Sequence, residues 1–180
     1  MLLDARRSAL LIVDLQDRLL PAIHDSERVL EHCLWLIHLA QRLQVPVVAS
    51  EQYPQGLGPT VLAIREVLPP EAFVEKTHFS CVAAGCLQSV PAYAREQWVV
   101  AGTEAHVCVL QTVIDLRAAG KRVFAVADAI GSRDPANREL AIERMRQHGV
   151  EIVSREMVAF EWLARAGTDL FREINREFIR

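Results

Sequence analysis

The chain has 180 residues, of which 51% are hydrophobic and 24% charged, the profile of an ordinary globular protein, and one domain over 1–180 is expected. A formal net charge of −3 supplies no basic surface for nucleic acid or an anionic membrane, and no apolar run reaches the roughly 18 residues that cross a bilayer. The first residues carry no signal-peptide core, and Cys33, Cys81, Cys86 and Cys108 form neither a CxxC pair nor a disulfide framework, so a reducing, cytoplasmic setting is expected.

Strand-like and helix-like stretches alternate along the chain. Ser8 to Val13 is a continuous apolar run and reads as a buried strand. Ser26 is placed as the N-cap of a helix whose apolar stripe is Val29, Leu30, Cys33, Leu34, Ile37 and Leu43, ending before Pro46. Val47 to Ala49 is a second short strand, and the Gly- and Pro-dense stretch Glu51 to Pro59 reads as loop. Phe73 to Lys76 is a third strand, followed by a short helix over Ala83 to Leu87. Gln97 to Ala101 is a fourth strand, which Gly102 ends.

The next helix holds Cys108 in its first turn and stops at Gly120. Arg122 to Ala127 is a fifth strand. Asp134-Pro135 supplies the N-cap and N1 of a helix that runs to about Gly149, and Val150 to Val153 is a sixth strand. Helices over 154–165 and 168–179 close the chain. The pattern is α/β: a three-layer α/β/α, doubly wound, six-stranded, mostly parallel sheet of Rossmann-like type.

In such a sheet the chemistry collects past the carboxyl ends of the strands. Three side chains stand there: Asp14 after the first strand, Lys76 after the third, and Cys108 in the turn that follows the fourth. None is specific alone. An Asp is a common cap, a Lys a common surface residue, and a free Cys a common core residue. Together they supply a nucleophile, a proton acceptor and a cation. A helix N-terminus and a lysine both favour thiolate, and a carboxylate that takes the thiol proton can return it to a leaving amine.

The ordered set resembles the isochorismatase-like cysteine hydrolase superfamily over nearly the whole length. The matching segments are Asp14-Leu15-Gln16, Glu75-Lys76-Thr77 with Phe79-Ser80, Gly102 to Val109, and Asp128-Ala129 with Ser132-Arg133. The resemblance implies a catalytic triad of Asp14, Lys76 and Cys108. It also implies a cis Thr103–Glu104 peptide and an oxyanion hole from the backbone N–H groups of Glu104 and Cys108. Loop position adds Gln16, Leu20, Tyr53, Leu57, Thr77, Phe79 and His106 as substrate-binding candidates.

Nicotinamidases of this superfamily hold a metal through an Asp-x-His loop after the second strand. Here that loop reads Ser50-Glu51-Gln52-Tyr53-Pro54, so neither a metal nor another cofactor is expected. True isochorismatases lack the cysteine. The loop and Gly102-x-Glu104-Ala105 look most like the isochorismatase domain-containing subgroup, and the resemblance implies a homo-oligomer, dimer or higher, acting on a small-molecule amide. The rival from the same fold is a catalytically idle assembly or binding member. The C-terminal stripe Trp162, Leu163, Leu170, Phe171, Ile174 and Phe178 reads first as core, with part of it left to pack on a partner. A receiver-like domain would need an acidic group where Lys76 stands. His78, Cys81 and Cys86 match no common zinc spacing.

Overall fold

The computed structural model describes residues 1–179. Its first strand, β1 (Ser8–Val13), is buried along its whole length. Leu10 and Ile12 enter one core layer, while Ala9, Leu11 and Val13 enter the other, so an alternation invisible in the apolar run still sorts the side chains by face. Helix α1 (Ser26–Arg42) covers the first layer with Val29, Cys33, Leu36, Ile37 and Ala40. Its cap position is Asp25 rather than Ser26. Asp25 is left-handed at φ +54°, and its side chain makes no capping bond.

Strand β2 (Val47–Gln52) runs three residues beyond the predicted apolar core, taking in Ser50, Glu51 and Gln52. The rest of the predicted loop contains a helical turn, α2 (Pro54–Leu57), with proline at its start, and α3 (Leu62–Arg65) follows. Strand β3 (Phe73–Lys76) pairs with β2, with Gln52 opposite Lys76. Residues 83–87 form turns rather than the predicted helix, and Gly85 takes φ +73° there.

Strand β4 (Gln97–Thr103) passes through Gly102 instead of stopping at it. Gly102 lies opposite Val13 at φ +111°, and a Cβ there would stand 2.2 Å from the Val13 carbonyl oxygen. The glycine therefore allows the close approach of two strands rather than ending one. A π-helical turn over Ala105–Val109 leads into α4 (Leu110–Ala118).

Strand β5 (Arg122–Gly131) is ten residues long and includes Asp128-Ala129, which the sequence places after it. In α5 (Pro135–Gln147), Asp134 caps the Ala136 amide as predicted. Strand β6 (Glu151–Val153) is followed by α6 (Arg155–Leu163) and α7 (Asp169–Ile174), capped by Ser154 and Thr168.

The six strands lie in the order β3-β2-β1-β4-β5-β6 and every pair is parallel. Chain order reverses between β1 and β4, which makes their carboxyl ends the switch point. Of the C-terminal stripe, Trp162 and Ile174 are core, Leu163 and Phe178 pack against that core, Phe171 is partly buried, and Leu170 is 42% exposed. Among the described residues no helix is long and apolar enough to cross a membrane.

Candidate active site

Asp14 leaves β1 in the left-handed region at φ +49°. Its backbone is held from both neighbouring strands. The amide donates to the Ser50 carbonyl at 3.1 Å, and the Thr103 hydroxyl donates to the Asp14 carbonyl at 2.9 Å. Its carboxylate is fully buried, and buried charge requires partners. Lys76 reaches over from the edge strand to donate to Oδ2 at 2.8 Å, and the Ser50 hydroxyl donates to Oδ1 at 2.6 Å.

The Lys76 ammonium is itself buried, and its second acceptor is the Gln52 side-chain oxygen at 2.6 Å. Cys108, 5% exposed, lies in the π-helical turn with its thiol against Asp14 and Lys76 and 4.0 Å from Gln52 Oε1. Three side chains drawn from positions 14, 76 and 108 thus meet at one strand edge.

The electrostatics differ from the sequence expectation. Burial, followed by the Asp14 carboxylate, pushes the Cys108 thiol up to about 12, and Lys76 only moderates the rise. Lysine and the turn's free amides do not leave a resting thiolate, because the buried thiol faces a carboxylate as well as an ammonium. Burial also raises Asp14 above the usual carboxylate range, against the pull of Lys76 and Ser50. Burial works against the Lys76 ammonium too, but Asp14, Cys81 and Cys108 outweigh it and keep Lys76 above its ordinary value. The buried thiol thus lies beside a carboxylate and an ammonium that bond one another at 2.8 Å.

The other predicted residues divide into three groups. Lys76 and Thr77 line a cavity of about 390 Å³ together with Pro54, Gln55, Glu75 and His78. Phe79 and Tyr53 are about half exposed, Leu57 is partly buried, and His106 is partly buried with Nδ1 2.9 Å from the Ser132 hydroxyl. Gln16 and Leu20 are engaged within the fold. Gln16 is fully buried, and its amide is used up in bracing: Nε2 donates to the Gln52 and Gly58 carbonyls, and Oε1 accepts the Gln52 amide. Leu20 belongs to the core layer beneath α1, on the opposite face of the sheet from Cys108.

The Thr103–Glu104 peptide is cis. The Glu104 side chain is held by Arg133 through three contacts, Nε to Oε1 at 2.9 Å, Nη2 to Oε2 at 3.1 Å and the backbone amide to Oε1 at 3.3 Å. The Glu104 carbonyl accepts from the Val107 and Val109 amides, which fixes the turn that carries Cys108. Ser50 and Gln52 are functional neighbours that the sequence reading missed. The available signal was the register of the second strand: extended three residues, it places Gln52 beside Lys76. Among the described residues no three His, Cys, Asp or Glu side chains converge as metal ligands.

The isochorismatase domain family matches residues 8–157. Isochorismatase domain-containing protein 2 of Danio rerio is 34% identical over 97% of this chain and 88% of its own length. The solved structure of the MAR1 ribonuclease of Caenorhabditis elegans superposes with a TM-score of 0.87 at 30% identity, over 98% of this chain and 91% of that one. YcaC of Escherichia coli, described as an octameric hydrolase of unknown specificity, gives a TM-score of 0.90 over 99% of this chain and 91% of that one. At 24% identity it speaks for the fold alone.

Proposed function

Because the chain belongs to the isochorismatase family, within its isochorismatase domain-containing subgroup, we propose that it is a cysteine hydrolase that cleaves the C–N bond of a small amide. One observation carries the reading. A buried thiol lies against a buried carboxylate, and that carboxylate is held by a lysine at 2.8 Å.

In this mechanism Asp14 accepts the Cys108 proton as sulfur attacks the substrate carbonyl. Transfer at the moment of attack suits a thiol held near 12 better than a preformed thiolate would. The carbonyl oxygen gains charge, and the Glu104 and Cys108 backbone N–H groups are the donors assigned to it. The C–N bond then breaks, Asp14 returns the proton to the amine nitrogen, and the amine leaves. Water attacks the thioester, giving the carboxylic acid and restoring the thiol. Lys76 holds Asp14 ionised in a site whose burial opposes it.

The name of the C. elegans neighbour raises RNA as a substrate. A net charge of −3 and a thiol 5% exposed favour a small amide, since binding a nucleic acid backbone needs a lysine- and arginine-rich surface. The test is a panel of small amides, with one RNA arm, run on wild type and Cys108→Ala. Amide hydrolysis that disappears in Cys108→Ala is expected, together with a wild-type acyl adduct in the intact mass. Hydrolysis undiminished in Cys108→Ala would sink the reading, as would turnover of RNA alone.

A further inference from the structure

Lys76 has a second partner that the mechanism above does not use. We propose that Gln52 is a positioning residue: its side-chain oxygen pins the Lys76 ammonium against Asp14 and provides an uncharged acceptor beside Cys108. This rests on the reading of Cys108 as nucleophile and extends it to a residue outside the triad.

The Lys76 side chain is wholly buried, and an ammonium has three protons to place. One goes to Asp14 Oδ2 at 2.8 Å and another to Gln52 Oε1 at 2.6 Å. Without the second, two of the three protons of a buried ammonium would lack an acceptor, and one contact alone would set its position.

The direction of the Gln52 amide is fixed by its other end, where Nε2 donates to the Thr77 carbonyl at 2.8 Å. A flipped amide would point N–H at the ammonium and oxygen at a carbonyl, losing both bonds. The backbone of Gln52 is held as firmly. Gln16 receives its amide at 2.8 Å and donates to its carbonyl at 3.0 Å. The residue is therefore fixed at three points before any substrate arrives.

Charge explains why an amide and not a carboxylate serves here. Gln52 Oε1 is 4.0 Å from the Cys108 sulfur. A glutamate would still bond Lys76, but it would set a second negative charge beside the thiol. It would compete with Asp14 for the one cation and make ionisation of both Asp14 and Cys108 harder. Glutamine gives the lysine its acceptor without that charge.

The test needs no substrate. The rate of Cys108 alkylation by iodoacetamide is followed against pH, resolved by peptide mass so that Cys86 is counted separately. Wild type, Gln52→Glu and Gln52→Asn are compared, with Lys76→Met as the reference for a lost cation. In Gln52→Glu alkylation should be about tenfold slower at each pH between 7 and 9, a rise of about one unit in the thiol pKa read as a rate where the protein is folded. Gln52→Asn withdraws the amide by one methylene and should show a smaller loss in the same direction. Wild-type profiles in both variants would overturn the proposal for Gln52. A wild-type Cys108 no more reactive than in Lys76→Met would instead remove the nucleophile reading itself. If Gln52→Asn does not fold, Gln52→Glu, which differs in a single group, carries the test.

Discussion

Asp14 decides the pH behaviour of the proposed reaction. To act as base it must be ionised, and burial lifts its pKa above the usual carboxylate range, about 4. Activity is therefore lost as pH falls through that raised value, so the acid limb should lie above pH 4 and reflect a single group. Asp14→Asn preserves the shape of the Ser50 and Lys76 contacts but cannot take a proton, so a loss of about 10²–10⁴-fold in kcat is expected. A pH–rate profile on any amide that the panel yields checks both. An acid limb at the position of an exposed carboxylate would refute the first, and an Asn variant within tenfold of wild type the second. At this scale the sequence shows the charged and nucleophilic groups but not their satisfaction. Asp14, Lys76 and Cys108 are legible as strand-end residues. Ser50 and Gln52 are not, because a polar side chain that completes a buried ion pair looks like any loop residue. The expected thiolate fails for a related reason: residue types announce charge, whereas burial fixes its cost.

Elements built on apolar runs are legible, and those extended by polar residues are read short. The cores of β1 and β3 are placed as they stand. Strands β2 and β5 continue through Ser50-Glu51-Gln52 and Asp128 to Gly131, because neighbouring parallel strands supply backbone partners that no local propensity records. Gly102 is the sharpest case, read as a breaker and found inside β4. Its replacement yields a prediction at this scale. In Gly102→Ala the new Cβ would stand 2.2 Å from the Val13 carbonyl oxygen and 2.6 Å from its nitrogen. Both are backbone, so β1 and β4 must separate where Asp14 is set. Gly131→Ala is the control: its Cβ meets side-chain methyl groups, Ile23 and Val29 at 2.8 and 2.9 Å and Thr103 at 3.8 Å, which can shift. Urea unfolding should show about 1–3 kcal/mol lost for Gly131→Ala, the usual cost of overpacking. Gly102→Ala should lose more, or yield no folded protein. Equal losses in the two would contradict a close approach of β1 and β4 at Gly102.

For the whole molecule, alternating strands and helices are enough to read a doubly wound sheet, because parallel strands require crossovers and these pack on both faces. The strand order itself comes from the structure. The same two-layer burial stores a pH dependence that no segment shows alone. Cys33 and Cys81 are buried and held well above the ordinary thiol value, Cys33 by burial and Cys81 by its hydrogen bond with Cys86 and by burial. Cys108 is pushed up to about 12. The native state therefore keeps three thiol protons that the unfolded chain releases near pH 9, and Lys76 keeps its own at still higher pH. Where the native state binds more protons, stability falls as pH rises. Cys86, held below its ordinary value by the bond from Cys81, has its opposite effect below pH 9 and adds no slope above it. Stability should thus hold near neutrality and decline above about pH 9, at about 1 kcal/mol per pH unit for each thiol. Urea midpoints between pH 7 and 11, in the presence of a non-thiol reductant, measure this. Cys33→Val should flatten the decline by one thiol's share, because its sulfur is far from the site chemistry and donates only to the Ala129 carbonyl at 3.4 Å. A wild-type midpoint constant to pH 11, or a Cys33→Val slope equal to wild type, would mean that these thiols do not hold their protons in the folded core.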